Sequence, residues 1–439
     1  MLNRLFKLRE SSTNIRTEII GGITTFMTMS YIIFVQPALL SQLGMDFGSV
    51  MVATCLASAL ATILMACFSN YPIALAPAMG HNFFFAYNIC MAMNIPWQIA
   101  LGANFISSGI TTLFVWVRQK IIYAVPESLK HAICVGIGLL ISLIGFEWAG
   151  IIDYHPGTLL GLGNFSQPPV YLALIGLIIT VILLGLNVKG PLFWGIIITT
   201  LLGIPLGVVK YEGLVSAPPS LMPTLFKLNI KGAFKIELVS AIFILFFLDL
   251  FDSIGTLIGV GKQGNFIKKD GEYPRIKQAL LVDAASSLAG TTLGTTTITS
   301  YIESSAGIAQ GARTGLSNII TALLFVLSIF FFPFVKMIGG GYATSKGMIL
   351  YPVISPCLII VGSLMLKSVK DINWDDYTEG LPAFLTLVIM PFTFSITEGI
   401  AFGFISYSLL KLLSRRAKEV HWIIYLFALL FILRYIFLK

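Results

Sequence analysis

The chain has 439 residues, of which 56% are hydrophobic and 11% are charged, and its mean hydropathy is +0.90. These values exclude an ordinary water-soluble globular domain and are typical of a polytopic integral membrane protein. The formal net charge of +8 does not indicate a nucleic-acid partner, because the basic residues cluster in short segments between apolar runs. The sequence therefore predicts a protein whose surroundings are the lipid bilayer.

Apolar runs of about transmembrane length follow one another along the chain, since a helix needs about 20 apolar residues to cross the hydrocarbon core. The first seven runs lie at residues 19–41, 48–68, 71–94, 97–117, 129–148, 169–187 and 191–208. After a polar stretch at 210–235, seven more lie at 238–261, 276–293, 295–311, 314–335, 348–366, 381–397 and 399–413. We therefore predict an all-α fold with about fourteen transmembrane segments.

The basic segments predict the orientation of the chain in a plasma or inner membrane. If the N-terminus is cytoplasmic, the segments at 118–120, 262–277, 367–370 and 415–418 all fall on the cytoplasmic side, and residues 147–167 fall outside. The first apolar run lacks a small-residue cleavage site, so we expect it to remain as the first span. The final run, at 421–438, has two open placements: a further crossing, or a helix lying in the membrane interface.

Two segments interrupt the helical pattern at membrane depth. Residues 70–82 (NYPIALAPAMGHN) contain Pro72, Pro77 and Gly80, and residues 290–303 (GTTLGTTTITSYIE) are rich in Thr and Ile, which favour extended backbone. Unsatisfied backbone groups in a bilayer cost several kcal/mol each, so such segments persist only where they pair with protein or line a cavity. Their separation of roughly 220 residues is that expected of an inverted repeat. We predict that the two breaks meet at a site.

Ionisable side chains at bilayer depth are functional candidates because burying them is costly. Asp249 and Asp252 share one polar face of the eighth predicted span, and Glu303 follows the second break. Desolvated carboxyl groups of this kind can bind and release a proton. Asp283 and Glu398 are interpreted instead as braces between neighbouring helices.

Asn82 and Glu303 each lie near the start of a half-helix, where free N–H groups collect ligand acceptors. Two structural alternatives stay open: Asn82 as a helix N-cap, and Glu303 as a carboxylate stabilised by its own helix end or by Arg313. Phe83 either packs against other helices or stacks on a flat ligand. His81 is either a proton carrier or a packed side chain.

The cysteines and histidines give no sign of catalysis. All five cysteines lie inside apolar runs without paired or metal-ligand spacing, and the four histidines are scattered. The sequence therefore predicts neither an enzyme, nor a metal site, nor a cofactor.

The chain resembles the adenine/guanine/hypoxanthine permease branch of the nucleobase:cation symporter-2 family, in the xanthine/uracil permease superfamily. The stretches that carry the resemblance are, in order, 70–82, 247–257 (FLDLFDSIGTL), 294–307 (GTTTITSYIESSAG) and 311–316 (GARTGL), within a similarity that runs from about Thr17 to Ser414. The resemblance implies a uracil-permease-like fold, with a core domain, a gate domain and two short intramembrane strands. It implies inverted seven-span repeats at 1–208 and 237–414, an inter-repeat loop at 209–236, and a basic loop with an apolar helix at 415–439.

The resemblance also implies a function, namely import of purine nucleobases by proton symport with alternating access. The family pattern places substrate contacts at Asn82, Asp249, Asp252 and Glu303, and the three acidic residues are the candidates for proton coupling. A uracil or xanthine permease, or an anion transporter on the same fold, are the alternatives, and a homodimer stays open.

Phe83 and Tyr301 complete the set of candidate substrate-binding residues. Near them the chain differs from the usual family pattern, with Ala78 in place of Gly, His81 in place of an apolar residue, and Phe83 in place of Ala. These differences lie next to the predicted site and bear on which base is preferred.

Overall fold

The computed structural model describes residues 5–115, 125–155, 157–268, 272–344 and 347–437. The predicted basic segment at 118–120, residues 269–271 of the segment at 262–277, and Leu438 lie outside the described residues.

The helices of the first half lie close to the predicted apolar runs. They are α1 (Ile15–Met29), α2 (Ile32–Ser41), α3 (Phe47–Phe68), α4 (Met79–Phe83, continued as a π-helix over Phe84–Ala92), α5 (Trp97–Leu113), α6 (Glu127–Trp148), α7 (Pro168–Gly185) and α8 (Pro191–Gly203). Helices α1 and α2 together form the first predicted span, because only Ser30 and Tyr31 separate them. Prolines begin α7 and α8, where the missing N–H removes no intrahelical hydrogen bond.

The helices of the second half follow a short helix in the predicted inter-repeat loop. They are α9 (Ile230–Ala233), α10 (Ile236–Gln263), α11 (Ile276–Leu293), α12 (Ser304–Ala309), α13 (Gly315–Ser328), α14 (Phe332–Gly339), α15 (Ser355–Met365), α16 (Tyr377–Thr393), α17 (Ile396–Leu413) and α18 (Trp422–Phe437). Among the described residues, seven helical stretches reach 18 residues and are apolar enough to cross a membrane. The chain is a multi-pass, mainly helical membrane protein, as predicted.

The two predicted breaks meet as a pair of strands, which confirms that prediction. Strand β1 (Leu75–Pro77) pairs antiparallel with β4 (Ile298–Ser300), and Ala76 lies opposite Thr299. The second extended segment is shorter than predicted, however. Helix α11 continues to Leu293 and ends at Gly294, whose φ of 96° is the left-handed conformation that glycine supplies at helix ends.

Two hairpins were not predicted. Strands β2 (Ile152–His155) and β3 (Leu159–Leu162) form one, and β5 (Tyr342–Ala343) and β6 (Ile349–Leu350) form the other. The predicted apolar run at 348–366 therefore begins as a strand, and its helix starts only at Ser355. A short apolar run does not distinguish a strand from the start of a helix, which is why the sequence pattern missed this boundary.

The helices pack as two groups. One group, here called the core, contains α1–α5, α10–α14, β1 and β4; the other, called the gate, contains α6–α8 and α15–α17. Within the gate, α6 and α15 cross so closely that a Cβ added at Gly138 or Gly362 would meet the backbone of the other helix. Small residues at such crossings allow close helix packing in a membrane.

The C-terminal helix α18 runs antiparallel along α17. At one end Arg434 pairs with Glu398 of α17 at 2.8 Å. Further along, Phe427 and Phe431 pack edge-on or tilted against Phe404 of α17, with ring centroids 5.9 and 6.3 Å away. Because these contacts follow the length of α17, α18 lies beside the last span, which favours a crossing orientation over one in the membrane interface.

The loop between α17 and α18 is held by charges. Lys411, whose side chain is 1% exposed, lies 2.9 Å from Glu419 and 3.7 Å from Asp376. Hydrogen bonds from Thr378 and Arg416 hold the pKa of Asp376 well below its usual range, and hydrogen bonds from Arg416 and Lys411 lower the pKa of Glu419 to about 2. Both carboxylates are therefore ionised at neutral pH and hold the basic loop in place.

The Arg434–Glu398 contact can be tested by exchanging the two charged residues. Arg434→Gln is expected to lower the thermal unfolding temperature of the detergent-purified protein, because hydrogen bonds between charged groups contribute about 1.5–3 kcal/mol. The double variant Glu398→Arg, Arg434→Glu is expected to recover part of the loss, and Arg415→Gln, at an exposed position, serves as control. An unfolding temperature unchanged by Arg434→Gln would show that this contact does not hold α18.

Candidate functional site

On the outer edge of each paired strand, a single hydroxyl group satisfies both the N–H and the C=O of one residue. Thr62 of α3 donates to the carbonyl of Leu75 at 3.2 Å and accepts from its N–H at 3.0 Å. Ser287 of α11 donates to the carbonyl of Ile298 at 2.7 Å and accepts from its N–H at 3.1 Å. Both hydroxyls lie on the helix that precedes the strand, so each half of the chain meets the same backbone requirement in the same way.

Asn82 joins the first break to the second. It lies inside α4, whose N-cap is Ala78, so the N-cap interpretation of Asn82 is wrong. Its Oδ1 instead accepts a hydrogen bond from the hydroxyl of Thr296. That hydroxyl in turn accepts from Nε2 of Gln36 at 2.9 Å. The Asn82 side chain is thus oriented by residues of the second break and of the first span.

Glu303 is held by the first span. It occupies the N-cap position of α12, but its side chain makes no capping hydrogen bond there. Its Oε1 accepts from the hydroxyl of Tyr31 at 2.7 Å. Arg313 donates instead to the backbone carbonyls of Ile308 and Ala312, at 2.7 Å each. Arg313 is therefore not a partner of the Glu303 carboxylate.

The two half-helices differ in what they offer a ligand. The N–H groups of residues 304–306, at the start of α12, donate to the carbonyls of residues 301–303 at 2.9–3.1 Å. The expectation of free N–H groups at this second half-helix is therefore wrong. Met79 and Gly80 open α4, and helix geometry gives their N–H groups no intrahelical acceptor. The site thus has backbone donors on the α4 side and a carboxylate acceptor on the α12 side.

Asp252 lies at the boundary between core and gate. Its side chain is exposed, and it accepts a hydrogen bond from the Thr299 hydroxyl of β4 at 2.9 Å. Its carboxylate is close enough to interact electrostatically with Glu303 and with Cys134 of the gate helix α6. Asp252 and Glu303 therefore face the same region.

Asp249 and Asp283 lie deeper in the core. Asp283 accepts from the N–H and the hydroxyl of Ser300, both at 2.7 Å, and from the hydroxyl of Ser253. Asp249, which is 2% exposed, lies 3.3 Å from the same Ser253 hydroxyl. Asp283 therefore braces β4 against α10 and α11, as the sequence indicated.

Tyr301 and Phe83 line the same region as tightly packed side chains. The hydroxyl of Tyr301 donates to the carbonyl of Pro77 at 2.5 Å, which ties the end of β4 to β1. Phe83 is 1% exposed, and its ring stacks on Tyr87 and meets Trp148 edge-on, with centroids 6.1 and 6.2 Å away. A base could stack on Phe83 only if these rings moved, so the substrate contacts of both residues stay predictions.

Several buried polar residues near the site were missed by the sequence analysis. Tyr31 and Gln36 of the first span contact the second break, and Asn104 of α5 accepts from the hydroxyl of Thr297 at 2.6 Å. Glu18, just before the first predicted run, caps the start of α13 by accepting N–H bonds at 2.8 and 3.2 Å. Their shared signal in the sequence is a polar side chain in or beside an apolar run.

Comparison with known proteins shows that this chain is similar to membrane permeases. Residues 16–402 match the xanthine/uracil permease model, described as "Permease family". The adenine permease AdeP of Escherichia coli is 46% identical over 440 residues, which cover 100% of this chain and 96% of that protein. The guanine/hypoxanthine permease PbuG of Bacillus subtilis is 41% identical over 452 residues, which cover 100% of both.

Solved structures with this fold are far more distant in sequence. The transmembrane domain of the cyanobacterium bicarbonate transporter BicA has a TM-score of 0.62 and 14% identity over 89% of this chain and 97% of that chain. The murine anion transporter Slc26a9, in its inward-facing state, has a TM-score of 0.63 and 12% identity over 92% of this chain and 69% of that one. These likenesses confirm the predicted inverted-repeat fold and say nothing about the substrate.

The strand edges give a stability test. Thr62→Val and Ser287→Ala each leave a buried N–H and C=O without a partner, at about 1–3 kcal/mol per group. Both variants are expected to lower the thermal unfolding temperature of the purified protein. Thr62→Ser keeps the hydroxyl and is expected to unfold close to the wild type. Equal unfolding temperatures for Thr62→Val and Thr62→Ser would show that the hydroxyl does not support β1.

Proposed function

This chain belongs to the xanthine/uracil permease family, and from that membership we propose that it imports the purine nucleobases adenine, guanine or hypoxanthine by proton symport with alternating access. The adenine permease AdeP and the guanine/hypoxanthine permease PbuG support the substrate class, because each matches this chain along its whole length.

The observation that carries the proposal is the mixed hydrogen-bonding character of the site. Glu303 and Asp252 offer carboxylate acceptors on one side, and the opening N–H groups of α4 offer donors on the other. A purine presents ring N–H groups beside ring nitrogens, or beside a carbonyl oxygen, along one flat edge. A neutral base of this kind can satisfy both sides, whereas an anion would meet two carboxylates.

The same carboxylates supply candidates for proton coupling. Asp252 and Glu303 interact electrostatically at membrane depth, and Asp249 lies one helical turn from Asp252 on α10. Two negative charges in such a site repel each other, so one proton shared between them stabilises the pair. A proton taken up with the base and released on the other side would link purine import to the proton gradient.

Alternating access requires that contacts between core and gate can break. Trp148 of the gate donates to the hydroxyl of Tyr87 in the core at 3.2 Å, and the ring of Phe394 lies 6.5 Å from Tyr87. Phe394 also lines a cavity of about 510 Å³ beside the two hairpins. These aromatic side chains separate that cavity from Phe83, so sliding of the core past the gate could open a route between them.

Uptake by cells that lack their own base permeases tests the proposal. Labelled adenine, guanine, hypoxanthine, xanthine and uracil are supplied separately, with and without a protonophore. We expect uptake of at least one purine of the first three, and its loss when the protonophore collapses the proton gradient. Uptake of xanthine or uracil alone would assign this chain a different substrate within the same family. Uptake of no base would overturn the proposal and favour an anion carrier.

Replacing Glu303 tests the site itself. Glu303→Gln keeps the size of the side chain but removes the charged acceptor, so we expect purine uptake to fall about 10-fold or more. The amount of protein in the membrane, measured on the same cells, should not change. Glu237→Gln, at an exposed position, is the control. Full uptake by Glu303→Gln would remove this carboxylate from the mechanism.

A further inference from the structure

The first span contacts both candidate ligand residues although it carries neither. Tyr31 lies between α1 and α2, is 1% exposed, and donates its hydroxyl to Oε1 of Glu303 at 2.7 Å. Thr28, one helical turn earlier, has its hydroxyl 3.4 Å from the carbonyl of Glu303. Five residues after Tyr31, Gln36 donates to the Thr296 hydroxyl that is bonded to Asn82. Residues 28–36 therefore contact Glu303 directly and Asn82 through the Thr296 hydroxyl.

The Tyr31 hydrogen bond restricts how Glu303 can meet a ligand. A carboxylate has two oxygens with about four lone-pair sites, and Tyr31 occupies one site on Oε1. Among the described residues, the side chain that donates a hydrogen bond to this carboxylate is that of Tyr31. The phenol ring of Tyr31 is rigid and packed in the core, so its hydrogen bond fixes the orientation of the carboxylate. A carboxylate that is already oriented loses little conformational entropy when a ligand binds.

From these contacts we infer that Tyr31 is a positioning residue for substrate, which holds Glu303 so that Oε2 accepts an N–H of the bound nucleobase. The inference rests on the proposed function and adds a residue to its site. Tyr31 lies in the core together with β4 and α12, so the contact moves with the site when the core slides past the gate. It would then act in both the outward-open and the inward-open state.

The test distinguishes a Tyr31 that positions Glu303 for substrate from a Tyr31 that only stabilises the fold. Tyr31→Phe removes only the hydroxyl, so KM for the transported purine is expected to rise about 10-fold or more while the maximal rate per membrane-inserted protein changes less than about twofold. Tyr71→Phe is the matched control, because it removes another buried hydroxyl of the core, which donates to the carbonyl of Pro274. It is expected to leave KM at the wild-type value.

A second variant covers the case in which Tyr31→Phe does not reach the membrane. Glu303→Asp keeps the charge but shortens the side chain by one methylene, which breaks the contact with Tyr31, so KM for the purine is again expected to rise. An unchanged KM in Tyr31→Phe, or the same rise in Tyr71→Phe, would overturn the inference. Wild-type protein that takes up no base would instead contradict the proposed function, so the two failures are distinguishable.

Discussion

The structure depends on one requirement, that extended backbone at membrane depth must find hydrogen-bond partners within the protein. Residues 75–77 and 298–300 meet it by pairing with each other along their inner edges. On their outer edges, the hydroxyls of Thr62 and Ser287, one from each half of the chain, each satisfy one residue. Asp283 accepts the N–H of Ser300 on the outer edge of the second strand. Because neither strand can complete its backbone hydrogen bonds without the other, the two halves of the chain must meet here. The paired strands therefore set the positions at which the half-helices that follow them begin.

The strand pair also decides where the acidic side chains lie. Successive residues of a strand point to opposite faces, so Thr299 and Ser300 of β4 contact different carboxylates. Thr299 donates to Asp252 at the boundary with the gate, and Ser300 donates to Asp283 inside the core. One carboxylate is therefore available to a ligand or a proton, and the other stabilises the strand. Glu303, three residues after Ser300, reaches the same region as Asp252.

Much of this arrangement follows from local sequence. Proline and glycine in 70–82 and threonine in 290–303 mark extended backbone, and the cost of burying a charge marks Glu303 as a candidate. What local patterns cannot supply is the partner of each polar group. Tyr31 and Glu303 are 272 residues apart, so their hydrogen bond exists only once both halves have folded. The strand that precedes α15 was missed for another reason, since a short apolar run suits either structure.

The most direct test of the account is a structure of the protein determined with a transported purine bound. We predict that the base lies between core and gate, with an N–H within hydrogen-bonding distance of the Glu303 carboxylate and its acceptor edge towards the first turn of α4. A base bound away from β1 and β4, with Glu303 still bonded only to Tyr31, would contradict the claim that the paired breaks form the transport site.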